Sequence, residues 1–193
     1  KNYKVSVRLR NQNGDEVARA QEQSVLVKAA GKTSAEKLRD AGTTITSTMT
    51  VTNPDKWFPD TPNLYYLEIV LSDENGKAME SIVERIGFRD LRKVRTEKKN
   101  ADGQFLEQLQ INGKQMVLRG VNRHDADVEK GHAVGYQEYL TDFTTMKQHN
   151  LNAIRTAHYP NDSVMYDLAD ELGLYICMDA NIESHRAAFT GAR

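Results

Sequence analysis

At 193 residues the chain could hold one large domain or two small ones, and its 26 basic and 27 acidic residues leave a net charge of −1. This balance gives no electrostatic footprint for nucleic acid or for an anionic membrane surface. No apolar run approaches the roughly 20 residues of a membrane span. The single cysteine, Cys177, excludes an internal disulfide framework. We therefore expect neither nucleic acid nor a membrane as a partner.

The first half of the sequence is typical of short strands separated by turns. Residues 3–10 alternate apolar and polar side chains, and residues 11–15 have the composition of a hairpin turn. Further strands are predicted at 25–27, 43–52, 64–71 and 81–88, with breaks at Asn53-Pro54 and at residues 73–77. Several short strands without a convincing helix predict an antiparallel β-sandwich over residues 1–97.

The second half alternates strand patterns with helix patterns. Residues 98–103 are polar and turn-rich, which predicts a boundary between domains at 1–97 and 98–193. Asn112-Gly113 then predicts a hairpin between apolar runs at 105–111 and 115–118. Strands are predicted near 117–122, 153–157 and 174–179, and helices at 136–149 and 163–172, the second capped by Asp162-Ser163 and ended by Gly173. This order predicts a parallel sheet.

Parallel strands joined by helices favour the start of a (β/α)₈ barrel that is incomplete in this chain. A whole barrel takes about 250 residues. Three barrel strands by themselves would leave an unpaired apolar edge and an uncovered interior. We therefore expect a multi-domain protein and interpret the chain as a piece of a longer polypeptide, called the parent polypeptide below.

Titratable side chains follow the predicted barrel strands, which is where an α/β barrel keeps its active site. His124 follows the first strand, Arg155 and His158 end the second, and Glu183 and His185 follow the third. Side chains two apart in a strand share a face, so Glu183 and His185 are expected to converge on one point. Structural alternatives stay open. A neighbouring backbone group could satisfy the hydrogen bonding of the His158 ring, and Arg155 could be a fixed structural charge.

Several stretches are specific when they occur together in one chain. They are the loop at 53–65 with Trp57, Ile86-Gly87-Phe88-Arg89, Ile111-Asn112-Gly113-Lys114, the run from Leu118 to His124, Arg155 with His158-Tyr159-Pro160, and Asn181-Ile182-Glu183-Ser184-His185. Along almost its whole length the chain resembles glycoside hydrolase family 2, and within it the β-galactosidases. One departure is Met178-Asp179, where the family usually carries an Asp-Glu pair.

The resemblance implies an immunoglobulin-like β-sandwich followed by the first β/α units of a TIM barrel, in a retaining enzyme that hydrolyses terminal β-D-galactosyl bonds. Retaining hydrolysis uses two carboxyl groups about 5–5.5 Å apart. The resemblance places both glutamates beyond Arg193, so the chain alone is expected to be inactive. It assigns His124 and His158 as hydrogen-bond donors to sugar hydroxyls and Arg155 to the floor of the site.

The resemblance also implies a cofactor and partners. Glu183 and His185 are assigned as ligands of a magnesium ion in the intact enzyme, with weak or no binding in this chain because magnesium prefers oxygen ligands. The expected partners are a β-galactoside and the rest of the parent polypeptide, whose homo-oligomerisation and compartment (cytoplasm or periplasm) stay open.

Trp57 is expected to pack a domain junction, and His132 and His149 to be surface residues.

Two other functions compete with this interpretation. One is a non-catalytic β-sandwich module for carbohydrate binding or assembly, which the first half fits. The polar strand ends of the second half do not suit it, because an adhesive module has no use for converging Glu, His and Arg side chains at one rim. The other is a different family 2 hydrolase, a β-glucuronidase or a β-mannosidase.

Overall fold

A computed structural model describes residues 2–26 and 44–182. The chain divides into two compact units. The first unit comprises Lys1–Asp55 and Leu64–Ile86, and the second comprises Lys56–Asn63 and Gly87–Arg193. Neither helix in the described part of the chain combines the length and the hydropathy that a membrane span requires.

The first unit is built on a five-stranded antiparallel sheet. Its strands are β1 (Asn2–Arg10), β2 (Glu16–Arg19), β3 (Gln23–Leu26), β6 (Tyr65–Asp73) and β7 (Ala78–Ile86). β6 pairs with β1 along almost its whole length, while β2 and β3 share the opposite edge of β1. This is the sheet that the alternating first half of the sequence predicts.

One predicted strand of the first unit is not a strand in the structure. Residues 44–51 have no ladder of backbone hydrogen bonds, although their exposure alternates as a strand's would. A side chain holds this segment instead, because the Gln23 amide nitrogen donates to the Thr46 carbonyl at 2.7 Å and lies 2.9 Å from the Ser47 hydroxyl. Ile45 and Met49 line a mainly apolar cavity of about 730 Å³ against the sheet.

The second unit contains the region where the sequence predicts a domain boundary. β8 (Leu91–Lys99) and β9 (Phe105–Ile111) pair as a hairpin, and β10 (Lys114–Gln115) adds to β9. Residues 98–103 are therefore the end of β8 and its turn, closed by a bond from the Gly103 amide to the Asn100 carbonyl at 3.0 Å. The division of the chain into compact units falls between Ile86 and Gly87, about ten residues before the boundary predicted at 97/98. Turn-rich composition marks a hairpin as readily as a linker.

The barrel-like part of the second unit follows the predicted order. β11 (Gly120–Arg123), β12 (Ala153–Thr156) and β13 (Tyr175–Met178) form a parallel sheet, with α1 (Tyr136–Gln148) and α2 (Ser163–Leu172) in the connections. α2 begins and ends as its sequence predicts: the Asp162 carboxylate accepts from the Val164 amide at 2.9 Å, and Gly173 closes the helix at φ +73°. The core between helices and sheet consists of Tyr139, Phe143, Ile154, Met165, Leu168, Ala169 and Leu174.

The loop around Trp57 belongs to the second compact unit. It carries the two short strands β4 (Trp57–Phe58) and β5 (Thr61–Pro62). The Trp57 indole is 2% exposed and donates to the Asp170 carbonyl at 2.9 Å. The Lys147 ammonium donates to the carbonyls of Pro59 and Gly173 at 2.8 and 3.1 Å. All of these contacts lie within the second unit. The indole of Trp57 anchors the loop to α2.

Candidate functional site

The carboxyl ends of the three parallel strands bring the candidate residues together. His124 follows the last residue of β11, His158 comes two residues after β12, and Asp179 follows β13 directly. The register aligns these ends, since Arg123, Thr156 and Met178 are neighbours across the sheet. Side chains far apart in the sequence therefore meet at one edge, as in the active sites of α/β barrels.

Arg155 lies on the face of the sheet opposite the two helices. Its neighbours in register are Asn122 and Cys177, both exposed, whereas Ile154 is buried in the helix-facing core. Alternation along a strand separates the two faces in this way. The guanidinium is consequently accessible at the end of the sheet that carries His124 and His158.

A single carboxylate, that of Asp179, binds both Arg155 and His158. Arg155 Nε and Nη2 donate to Asp179 Oδ1 and Oδ2 at 3.0 and 2.8 Å, the two-pronged geometry that suits a guanidinium and a carboxylate. His158 Nδ1 lies 3.1 Å from Asp179 Oδ2. The peptide bond between Ala157 and His158 is cis.

Aromatic rings cluster around His158 and Tyr159. The rings of His124 and His158 meet edge to face with their centroids 5.5 Å apart, and the His124 ring lies 6.2 Å from that of Tyr159. His132 approaches Tyr159 from another direction, with ring centroids 6.3 Å apart. His132 is exposed, as the sequence predicts, but it borders the site, which the sequence analysis misses.

Behind His124 lies a buried polar network. Arg123 Nη1 donates to Asp125 Oδ1 at 2.5 Å, and Arg123 also pairs with Asp142. The Tyr139 hydroxyl donates to Asp125 Oδ2 at 3.0 Å, and the Asp125 amide donates to the Tyr159 hydroxyl at 3.1 Å. His124 therefore projects from a backbone that is fixed on both sides.

These contacts shift the pKa values of ionisable groups in and behind the site. The hydrogen bond from Arg155, reinforced by His158, holds the pKa of Asp179 below its usual range, and the pKa of Arg155 is raised in return. A depressed carboxyl pKa keeps Asp179 ionised at neutral pH, and the stabilisation it provides is lost as the pH falls through the folded-state pKa. Burial, with Asp125 nearby, raises the pKa of Tyr139 to about 12, so its hydroxyl stays a donor.

The structure brings together three of the predicted site residues, His124, Arg155 and His158, and adds two carboxylates to which the sequence pattern assigns no role in the site. Glu183 and His185 lie outside the described residues. Within residues 2–26 and 44–182, no group of three or more His, Cys, Asp or Glu side chains is arranged to hold a metal. These two carboxylates are Asp179, which the sequence marks only as a departure from the family pattern, and Asp125. The available signal was their position, because each follows a barrel strand within two residues.

Two family models match the chain. The model described as glycosyl hydrolases family 2 matches residues 1–89, and the one described as glycosyl hydrolases family 2, TIM barrel domain, matches residues 104–191. Together they leave only residues 90–103 and 192–193 unmatched. The chain thus carries the sandwich domain of that family followed by the start of its TIM barrel.

Among curated relatives, a β-galactosidase of Vibrio vulnificus is 44% identical over 138 residues, covering 72% of this chain and 12% of its own length. A β-galactosidase of Photobacterium profundum is 45% identical over 138 residues with the same coverage. Among solved structures, Bacteroides uniformis β-glucuronidase matches with a TM-score of 0.74 at 24% identity, over 94% of this chain and 19% of its own. That likeness shows the fold alone.

The chain spans about an eighth of the length of the curated relatives it matches. The two family models nevertheless agree on one family across both compact units. The two β-galactosidases named above are 44% and 45% identical to the chain over 72% of its length. The chain belongs to glycoside hydrolase family 2.

Proposed function

We propose that this chain is a segment of a retaining β-galactosidase, a parent polypeptide that hydrolyses terminal β-D-galactosyl bonds. The observation that carries the proposal is the meeting of His124, His158, Arg155 and Asp179 at the carboxyl ends of three parallel strands. The galactoside part of the proposal is supported by relatives that are 44% and 45% identical and are named β-galactosidases.

The exposed imidazoles and guanidinium suit the recognition of a sugar. His124 and His158 offer ring nitrogens at the open end of the sheet, and sugar hydroxyls pair with such groups. Hydrogen bonds of this kind that strengthen in the oxocarbenium-like transition state lower the barrier to hydrolysis. Arg155 is permanently charged and keeps the neighbouring carboxylate ionised.

We assign neither catalytic carboxyl group to the described residues. The carboxylates closest to the site, Asp125 and Asp179, are each paired with an arginine. A general acid must hold its proton near neutral pH, and Arg155 lowers the pKa of Asp179 instead. The resemblance to the family implies that the nucleophile and the acid/base glutamate lie in the part of the parent polypeptide that follows Arg193, and we propose that location.

We further propose a magnesium ion in the parent polypeptide, with Glu183 and His185 among its ligands. The carboxylate of Glu183 suits a hard cation, whereas the imidazole of His185 is an unusual magnesium ligand, so the donor set fits only in part. Bound magnesium would supply positive charge close to the acid/base carboxyl group. Two protein ligands make a weak site, which is why little binding is expected in this chain alone.

The test of the proposed function compares the chain with its parent polypeptide on three chromogenic substrates, a β-galactoside, a β-glucuronide and a β-mannoside. We expect no hydrolysis by the 193-residue chain above buffer, because both catalytic glutamates are proposed to lie outside it. The parent polypeptide should favour the β-galactoside by about 100-fold or more in kcat/KM, a threshold below the roughly 10⁴-fold that sites discriminating by hydrogen bonding reach. Preference for the glucuronide or the mannoside would replace the galactoside assignment, and hydrolysis by the chain alone would overturn the location of the glutamates.

A further inference from the structure

The carboxylate of Asp179 is fixed from two directions. Arg155 donates a hydrogen bond to each of its oxygens, at 3.0 and 2.8 Å. The Asp179 amide donates to the hydroxyl of Thr156 at 2.9 Å, and Thr156 is 1% exposed. Both the backbone and the side chain of Asp179 are therefore held by β12, the strand that leads into His158.

Nδ1 of His158 has two polar neighbours that make opposite demands. Asp179 Oδ2, at 3.1 Å, can only accept a proton, so this contact is a hydrogen bond if Nδ1 carries hydrogen. Arg155 Nη2, at 3.4 Å, can only donate, so that contact is a hydrogen bond if Nδ1 is a bare lone pair. The two contacts cannot both be satisfied, and the proton position of His158 depends on which one prevails.

Distance favours the carboxylate. The contact to Asp179 is shorter, at 3.1 against 3.4 Å, and each contact has one ionised partner, so charge assistance gives the arginine no advantage. Arg155 Nη2 already donates to Asp179 Oδ2 at 2.8 Å, which is a far better bond than 3.4 Å to the imidazole.

We propose that Asp179 is a positioning residue that fixes neutral His158 in the tautomer with its proton on Nδ1. Nε2 is then a lone pair and accepts a hydrogen bond from a hydroxyl group of the ligand. The sequence predicts that His158 donates a hydrogen bond to the sugar. With the proton held on Nδ1 by Asp179, the Nε2 atom of the neutral ring accepts one instead. The identity of the ligand as a sugar rests on the proposed function, but the tautomer does not.

The test is ¹⁵N nuclear magnetic resonance of the histidine side chains in the 193-residue chain. It is run at about pH 8.5, where histidine in model peptides is neutral. Chemical shifts and the couplings of each nitrogen to the ring protons show which nitrogen is protonated. We expect His158 to carry its proton on Nδ1. A proton on Nε2 in the unmodified chain would overturn the proposal without any variant being needed.

Variants separate the role of Asp179 from general effects. In Asp179→Ala only Arg155 remains next to Nδ1, so the proton of His158 is expected to move to Nε2. Asp179→Glu restores a carboxylate and should return the proton to Nδ1. Asp102→Ala, in the exposed β8–β9 turn, is the matched control and should leave His158 unchanged. Retention of the Nδ1 proton in Asp179→Ala would contradict the proposal.

Kinetics in the parent polypeptide distinguish this inference from the proposed function. There Asp179→Ala is expected to lower kcat/KM on a β-galactoside by about tenfold or more, with recovery in Asp179→Glu, because the ring presents the wrong group to the sugar. If the tautomer shifts as expected but galactoside kinetics do not change, the positioning role is confirmed and the sugar contact of His158 is wrong.

Discussion

Replacing Asp125 with alanine is expected to lower the free energy of unfolding of the second unit by about 3 kcal/mol, the lower end of the cost of breaking a buried ion pair. The side chains of Arg123 and Asp125 are only 7% and 11% exposed. Without Asp125 the guanidinium keeps a single carboxylate, and the hydroxyl of Tyr139, which is fully buried, loses its acceptor. Both losses add to the cost.

The single tryptophan makes this measurement specific, because Trp57 is buried in the second unit. Its fluorescence during urea denaturation reports on that unit. The matched control is Asp142→Ala, which removes the other partner of Arg123 from a side chain that is 45% exposed. It should cost about 1 kcal/mol or less, as for a partly solvated pair. Equal effects of the two variants would show that burial of the network does not matter.

Replacing Gly173 with alanine is expected to cost about 3–5 kcal/mol, because a steric overlap adds to an unfavourable backbone conformation. Gly173 has φ +73°, and a Cβ there would lie 2.0 Å from the Pro59 carbonyl oxygen. The loop that carries Trp57 would have to move away from the end of α2. The expected result is a lower urea midpoint with a shift in the fluorescence of Trp57.

Gly103→Ala is the matched control for the backbone contribution. Gly103 has a similar φ of +78° in the same unit, and a Cβ there would meet nothing within 4 Å. It should cost about 1 kcal/mol, the usual difference for a left-handed position. If both glycine variants cost the same, the contact between Gly173 and Pro59 does not contribute to the packing of the loop.

Local signals in the sequence were sufficient for the elements that local chemistry determines. Asp162 and Gly173 bound α2 because a capping carboxylate and a left-handed glycine act within a few residues of the helix end. Asn112-Gly113 forms the predicted turn, with φ of +50° and +81°. The strand ends carrying His124, Arg155 and His158 were predicted as well, since strand and helix patterns alternate clearly there.

Features that depend on distant partners were not predictable in the same way. Residues 44–51 have the alternation of a strand, but whether a ladder forms depends on a neighbouring backbone that alternation does not specify. Residues 98–103 have the composition of a linker, and only the pairing of β8 with β9 shows that they close a hairpin. In the sequence Asp179 is only a departure from the family pattern. Its hydrogen bonds to Arg155 and His158 depend on the register of β12 and β13.

The most direct test of the central claim is the effect of His158→Ala on galactoside hydrolysis by the parent polypeptide, with His149→Ala as the control. His149 is an exposed histidine at the end of α1, away from the strand ends that form the site. We expect His158→Ala to lower kcat/KM by about 100-fold, the effect of removing one hydrogen bond that acts in the transition state. His149→Ala should stay within about twofold of the unmodified protein, as a surface substitution does. A value for His158→Ala that also stays within about twofold would contradict the assignment of this strand edge as the sugar-binding site.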